Sequence, residues 1–495
     1  TAVSLVYSFL RLFYKNIEFY IPDRYGEGYG ISYKGIDYAY SNGVKLIIAL
    51  DCGIKAVDKI DYATQKGVDF IIGDHHRPGD VIPAASAVLD PKQEDCPYPY
   101  KELSGCGVGF KLAQAIAIKN NINEEKVFDF LDLAAVSIAA DIVPITGENR
   151  ILAFYGLQKI NTNPRSGICS LFKSAGIIPS EDENQKYYFN KEITINDLVF
   201  SLGPRINAAG RIDDATNSVR LLISTNKEYA EKLGAQINDL NTTRREFDSN
   251  ITKEAIDQIE NNIINKEKKT TIVYNPDWHK GVIGIVASRL IERFYKPALV
   301  FTKSDDLITG SARSIKKFDI YDAIDNSSSI LEHFGGHTYA AGLALKPENF
   351  EKFKKEFEDY ANENLTDDMM IPEIEIDQEL DISDIDKKFF KILKQFAPFG
   401  PGNMSPVFQS NNIIDTGWVK TVGKNGQNHL KFSVVQTTKR GAPIPSIGFN
   451  LGHHYEKMKQ GKPFSVCYHI EENTWHGRTN LQLRVLDIKF TEPDY

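Results

Sequence analysis

The sequence contains no stretch close to the ~18 uninterrupted apolar residues of a membrane span. Its first fourteen residues carry Arg11 inside an apolar run, with no basic leader. Secretion and membrane insertion are therefore not expected. Cysteine is scarce too: five residues, at 52, 96, 106, 169 and 467, form no CxxC pair, and their odd number and scatter read as reduced thiols of a cytoplasmic protein. Nor is there any surplus of base. With 58 Lys and Arg against 66 Asp and Glu, the net charge of −8 excludes nonspecific coating of duplex DNA by overall charge, but leaves room for a local basic groove. At 42% hydrophobic and 25% charged, collagen-like, disulfide-scaffold and disordered readings drop away, and 495 residues predict two to four domains. No 20–50-residue repeat is visible. Thr1 opens within a helical pattern (Val3, Leu5, Val6, Phe9, Leu10, Phe13), so further residues are expected ahead of it.

What is present begins with a βαβ rhythm. FYIP (19–22), KLIIAL (45–50), DFIIG (69–73) and AVLD (87–90) are branched-aliphatic runs suited to strands buried on both faces, with short helices between them over 34–43 and 55–66. They predict a parallel sheet with helices on both faces. A helical stretch over about 107–140 ends at AADIVPI (139–145), and 147–225 reads as mostly helical with a polar insertion at 180–188. Over 227–268, Leu233, Ile237, Leu240, Phe247, Ile251, Ala255, Ile259 and Ile263 form one helical stripe. A continuous helix there would span roughly 60 Å, a rigid connector. A second α/β unit follows: TTIVY (270–274), a helix over 281–295, ALVFT (298–302), ITGSAR (308–313) and a helix ending near GGH (335–337). The acidic stretch 362–377 reads as a linker, and 405–490 as a small antiparallel barrel of OB type.

The chemistry gathers at strand ends. Asp51 immediately follows one buried run, and Asp74, His75 and His76 follow the next. In a parallel sheet the C-terminal strand ends line one crevice, so these groups converge, and Asp141 after an apolar helix can add a third carboxylate. Clustered carboxylates repel one another, and a cation is the usual means of keeping several ionised. Mixed Asp and His ligation suits Mn²⁺ or Mg²⁺, and two ions ~3.5–4 Å apart could activate a water against a phosphodiester. An Asp after a strand is also ordinary helix-capping punctuation.

Two further groups suit an anion. SLGPRINAAGRID (201–213), HKGVIGIVASR (279–289), GSARS (310–314) and FGGHTYAAG (334–342) combine Gly, which lets backbone N–H groups approach phosphate, with Arg forks and His. IPDRYGEGYG (21–30) could bind a terminal phosphate through Arg24 and stack a base on Tyr29, or be no more than a Gly-rich turn.

At these residues the chain resembles the DHH phosphoesterase superfamily, and within it the RecJ family of bacterial single-strand-specific 5′→3′ exonucleases. The name-giving triplet stands as Asp74-His75-His76. IPDRYGEGYG, IALDCGI, LSGCGVGFKLAQA (103–115), AADIVPI, GPRINAAGRI, GSARS, GGHTYAAG and APFGPGNMSPVF (397–408) follow in order along nearly the whole chain. The resemblance implies a DHH domain over 1–226, a connecting helix over 227–268, a smaller α/β DHHA1-type domain over 269–365 and an OB-type nucleic-acid-binding barrel over 372–495. It implies Asp51 as a ligand shared by two Mn²⁺ or Mg²⁺ ions, with His75 and Asp141 completing the site. Asp74 would be a ligand or an orienter, and His76 a donor to the scissile phosphate. Arg24, Ser311 and Arg313 would hold the 5′ phosphate, with Tyr29 near the terminal bases. Arg205, Asn207, Arg211 and His337 would line the path of the strand, and Phe399, Phe408 and Trp418 would stack on DNA or belong to the barrel core.

The implied activity is mononucleotide release from single-stranded DNA in recombination and repair, by a cytoplasmic monomer working with a single-strand-binding protein and a DNA helicase. The family's first motif, an Asp-x-Asp before the first helix, should lie upstream of Thr1 and is absent from the numbered chain. Weak or singly occupied metal binding and little activity are expected of these 495 residues alone. Two rival readings stand: a DHH phosphodiesterase of short oligonucleotides or cyclic dinucleotides, and a catalytically inactive scaffold like the DHH-derived subunit of the eukaryotic replicative helicase.

Overall fold

Strands β1 (Leu46–Leu50), β2 (Asp69–Gly73) and β3 (Ala87–Leu89) pair in parallel in the order β1-β2-β3. The computed structural model describes the chain except residues 24–25, 182–185, 213–214, 262–267, 424–427, 438–440, 476–477 and 491–495, and the side chains of 211–212, 475 and 478. Helix α1 (Ala2–Arg11) precedes the sheet, and helices α2 (Tyr33–Ser41) and α3 (Val57–Gln65) cover one face of it, where Ile36, Ile60 and Ala63 pack on Ala49, Phe70 and Ile72. α4 (Gly105–Lys119) covers the other, with Val108 and Gly109 against Gly73 and Leu50. Among the described residues only β2 is internal to this sheet, and β1 is half-buried rather than enclosed on both faces.

The run 19–22 is not a strand. Pro22 has no N–H for a ladder, and side chains pin the segment instead: Phe19 meets Tyr7 edge-on at 5.3 Å and Tyr20 donates to Glu27 at 2.9 Å. The helical stretch after β3 comes in three pieces, α4, α5 (Glu125–Phe128) and α6 (Leu131–Ala140), and α6 ends on Asp141 as its C-cap.

The long helix is one element, Lys227–Glu260, 34 residues. It packs on helices Ser166–Ser174, Gly203–Ile212 and Thr216–Ile223 near its start, while Ile251, Ala255 and Ile259 join Trp278, Val286 and Val300 near its end. Its stripe position Ile263 lies outside the described residues. The second sheet runs β4 (Thr271–Tyr274), β5 (Ala298–Ser304), β6 (Leu307–Arg313), β8 (Ala340–Leu345), β7 (His333–His337); β4 and β5 are parallel and the rest antiparallel. GGH is therefore a strand, not a helix end. Gly336 lies so close to β8 that a Cβ there would sit 2.3 Å from the Ala340 carbonyl, an approach only glycine permits.

The last strands are β9 (Gln378–Glu379), β10 (Phe408–Asp415), β11 (Lys420–Val422), β12 (His429–Gln436), β13 (Ile444–Gly448), β14 (Phe464–Trp475) and β15 (Arg478–Phe490). Their order is β11-β12-β13-β15-β14-β10-β9, and an extra β10–β12 pairing closes the barrel. β13–β15 and β9–β10 are parallel, so the barrel is mixed rather than purely antiparallel. By contacts the chain forms two units, Thr1–Val143 with Tyr155–Glu373, and Pro144–Phe154 with Ile374–Tyr495. The short 144–154 segment groups with the barrel because Ile145 donates to the Pro401 carbonyl and Arg150 to the Gln395, Phe396 and Ala397 carbonyls. No helix among the described residues is long and apolar enough to cross a membrane.

Candidate metal centre

The ends of β1 and β2 and the end of α6 deliver three groups to one point. Asp51 leaves β1 in a left-handed conformation, φ +66°, its N–H held by the Gly73 carbonyl at 2.8 Å. Asp141 caps α6 and is followed by Ile142 at φ +58°. A non-glycine residue in this region is strained, and here both strained positions lie at or beside a site carboxylate. Between them stands His75, its Nε2 3.1 Å from Asp51 Oδ1 and 3.2 Å from Asp141 Oδ2.

Neither approach has hydrogen-bond geometry, and among the described residues both ring nitrogens of the buried His75 lack a hydrogen-bond partner. Ligand atoms ~3 Å apart are what neighbouring positions around one ion show when each lies ~2.1 Å from it. Asp51, His75 and His76 also form a group whose ligand atoms lie within 4.8 Å of one another. The donor set of carboxylate and imidazole, with an orphaned nitrogen at its centre, fits Mn²⁺ or Mg²⁺.

The electrostatics agree. Burial pushes the Asp141 carboxyl up and Asp51 adds to this, with His75 opposing. Burial pulls His75 down, but Asp51 and Asp141 outweigh it and raise it. Two acids thus crowd one buried imidazole, an arrangement in which added positive charge would favour the ionised carboxylates.

Asp74 plays a different part. It is 1% exposed, and its Oδ1 accepts from His75 N–H at 2.8 Å, His76 N–H at 3.3 Å and His76 Nδ1 at 2.7 Å, while Oδ2 accepts from Ile54 N–H at 3.0 Å. Both of its oxygens are thus engaged in hydrogen bonds within the loop. With Nδ1 bound to Asp74, His76 presents Nε2 to a ligand.

A cleft of about 820 Å³ opens at this site, lined by His75, His76, Asp141, Arg77, Lys92 and His337 among others. His337 thus lines the same cleft as His75, His76 and Asp141. Ser311 and Arg313 share one face of β6, with Arg313 Nη1 donating to Ser311 Oγ at 3.2 Å. A Cβ on Gly284, in the first turn of helix Ile283–Phe294, would lie 2.9 Å from Ser311 Oγ and 3.1 Å from Arg313 Nη2. These three residues make a second small polar nook.

Other expectations fare differently. Arg205 is turned inward: Nη1 donates to the Ser201 carbonyl at 2.7 Å, Nη2 to the Ser174 carbonyl at 3.3 Å and Nε to Asn238 at 3.1 Å. Asn207 and Tyr29 are exposed. Arg24 and the side chain of Arg211 lie outside the described residues. Phe408 belongs to the barrel core, Phe399 is half-buried and Trp418 is 79% exposed.

Sequence reasoning picked out the segments that hold Gly105 and Gly284 without giving either glycine its own role, and passed over Asp90. Asp90 follows β3 as Asp51 follows β1, and the same strand-end rule could have found it. Burial pushes its carboxyl up to about 6.

Three family descriptions match in order: the N-terminal domain of the DHH family over residues 1–138, the DHHA1 domain over 267–363 and the RecJ OB domain over 376–487. The chain is 35% identical to the single-stranded-DNA-specific exonuclease RecJ of Bacillus subtilis, over 99% of this chain and 60% of that protein. It is 32% identical to the protein of the same name from Salmonella typhimurium, over 96% of this chain and 82% of that one. The crystal structure of RecJ from Thermus thermophilus in complex with Mn²⁺ superposes with a TM-score of 0.81 at 24% identity, covering 99% of this chain and 67% of that one.

Proposed function

The chain belongs to the RecJ family of DHH proteins, and on that premise we propose that it is a metal-dependent exonuclease that shortens single-stranded DNA from its 5′ end. The observation that carries this reading is His75 Nε2 set 3.1 Å and 3.2 Å from two carboxylates without hydrogen-bonding to either. Mn²⁺ or Mg²⁺ ions, two by the family pattern, would be held by Asp51, His75 and Asp141, and would supply Lewis-acid polarisation of the phosphodiester and a water acidic enough to attack.

The protein's own residues bind and orient. Asp74 fixes His76 through Nδ1 and favours its doubly protonated form, so that Nε2–H of the imidazolium meets a non-bridging oxygen and offsets the charge that builds there during in-line displacement. The water's oxygen would bond to phosphorus as the bond to the 3′ oxygen of the terminal nucleotide breaks, the water giving up a proton to solvent and the leaving 3′ oxygen taking one up. Ser311 and Arg313, left room by the missing side chain of Gly284, hold the 5′ phosphate, and the same pocket receives the new 5′ phosphate after each cut. Tyr29 stacks on a terminal base, His337 holds the strand at the cleft, and Arg24, Asn207 and Arg211 contact its phosphates. Arg205 acts indirectly, by bracing its helix. All five cysteines are free, which supports a reducing, cytoplasmic setting, where a single-strand-binding protein and a helicase would supply its substrate to a monomer.

The test gives full-length protein, with any residues that precede Thr1, Mn²⁺ with a 5′-phosphorylated single strand, a blunt duplex and a dinucleotide. Stepwise mononucleotide release from the 5′ end of the single strand is expected, and H75A should abolish it. Activity confined to the dinucleotide sinks the exonuclease reading in favour of a short-substrate phosphodiesterase.

A further inference from the structure

Asp90 is used by nothing described so far. It follows β3, whose Leu89 carbonyl accepts the Asp74 N–H at 3.0 Å, so it sits in the sheet beside the segment that carries His75. It is 2% exposed. Its Oδ1 accepts from Lys92 N–H at 2.8 Å, while its Oδ2 is buried with no hydrogen-bond partner among the described residues. On the ligand segment, His75 Nδ1 is likewise buried and unpartnered, while Nε2 faces Asp51 and Asp141. The Asp90 carboxylate lies within the field of the His75 imidazole. One buried acceptor oxygen and one buried ring nitrogen, in neighbouring segments of one sheet edge, each lack the partner the other could provide.

We infer that Asp90 is a positioning residue: its Oδ2 accepts the Nδ1 proton of His75 and so fixes the ring with Nε2 unprotonated toward Asp51 and Asp141. A neutral imidazole carries one N–H, and a ring that ligates an ion through Nε2 must hold its proton on Nδ1. Left without an acceptor in a buried site, that N–H destabilises the ligating tautomer. A carboxylate behind it selects the tautomer, sets the ring plane and strengthens Nε2 as a donor. This inference rests on the metal site proposed above and adds the device that orients its central ligand.

Two measurements on the full chain test it. The first is calorimetric titration of Mn²⁺ into wild type, D90A and D90N, with circular dichroism to establish that each is folded. D90A should bind about 10–100-fold more weakly than wild type, while D90N, whose amide oxygen can accept the same proton, should stay within about threefold. The second is long-range ¹H–¹⁵N spectroscopy of ¹⁵N-histidine-labelled protein with Mg²⁺, with H75Q assigning the ring among ten histidines. Wild type and D90N should show His75 protonated at Nδ1, and D90A should lose that single tautomer. D90A binding Mn²⁺ as tightly as wild type, or a wild-type His75 protonated at Nε2, overturns the inference and leaves the metal site standing. If wild type itself binds no Mn²⁺, the metal reading and this one fall together. Should D90A fail to fold, the tautomer of wild type and D90N decides.

Discussion

Gly105 stands where the Asp51 carboxylate leaves no room for a side chain: a Cβ on Gly105 would lie 2.2 Å from Asp51 Oδ1 and 2.4 Å from its Cγ. Gly105 opens α4, whose N-cap Ser104 accepts from Gly107 N–H at 3.1 Å, so the helix start is fixed and the carboxylate would have to yield. Asp51 already occupies a left-handed conformation and has little room to retreat. G105A should therefore weaken Mn²⁺ binding at least about tenfold while costing only ~1–3 kcal/mol of stability, the usual range for overpacking. Calorimetric titration beside a thermal melt checks both. Unchanged metal affinity in a folded G105A would show that the seat of Asp51 is not what the glycine protects.

The helix that ends in Asp141 is anchored by a buried ion pair. Asp132, fully buried on α6, takes Arg165 Nε at 2.7 Å and Nη2 at 2.5 Å, and Arg165 also donates to the Leu222 carbonyl at 3.2 Å. Removing one partner strands a buried charge, which costs ~3–5 kcal/mol, whereas replacing both with apolar residues of similar volume is close to neutral. R165A should destabilise the first unit by that amount, and D132L/R165M should recover most of it in urea melts. A double variant as unstable as the single one would mean that the pair's geometry, not its charge, supports α6.

Much of this architecture was legible because it rests on local pattern. Branched-aliphatic runs ending in acid mark β1 and β2 together with Asp51 and Asp74, since a parallel sheet converges its strand ends whatever the intervening helices do. What escaped depends on neighbours distant in sequence. Nothing local says that a Cβ at Gly105 would strike Asp51, or that Gly336 lies against β8, so Gly-Gly-His read as a helix end. Arg205 shows the same limit: its sequence gives a charge, but only the fold turns its donors onto the Ser201 and Ser174 carbonyls instead of toward a strand of DNA.

Asp74 makes stability depend on pH in a defined direction. Burial alone would raise its carboxyl, but hydrogen bonds from His76, Ile54 N–H and His75 N–H outweigh burial and bring it to about 2. A carboxyl lying below its unfolded value of ~3.9 contributes stability that is present above that value and is lost as pH falls toward 2. In metal-free protein, D74N should be less stable than wild type by about 2 kcal/mol at pH 6, and this gap should narrow to about half by pH 3. Urea melts in chelator across that range measure it. A gap independent of pH would assign the loss to packing rather than to the carboxylate.

In the barrel, one aromatic faces solvent and another faces the core, and their variants should fail in different ways. Trp418 is 79% exposed just before β11, whereas Phe408 is 5% exposed and packs edge-on to Phe389 with ring centroids 5.8 Å apart. Stacking on a base is worth ~1–3 kcal/mol, so W418A should weaken binding of a single-stranded oligothymidine about 5–150-fold and leave the melting temperature unchanged. F408A empties part of a packed core and should cost ~3–5 kcal/mol, lowering the barrel's melting transition. Fluorescence anisotropy with the full chain, paired with thermal melts, separates the two. If W418A bound the oligonucleotide like wild type, this exposed tryptophan would have no part in gripping DNA. If F408A kept its melting point and lost binding instead, the ring would have to leave the core to meet a base, and the division of labour drawn from their burial would be reversed.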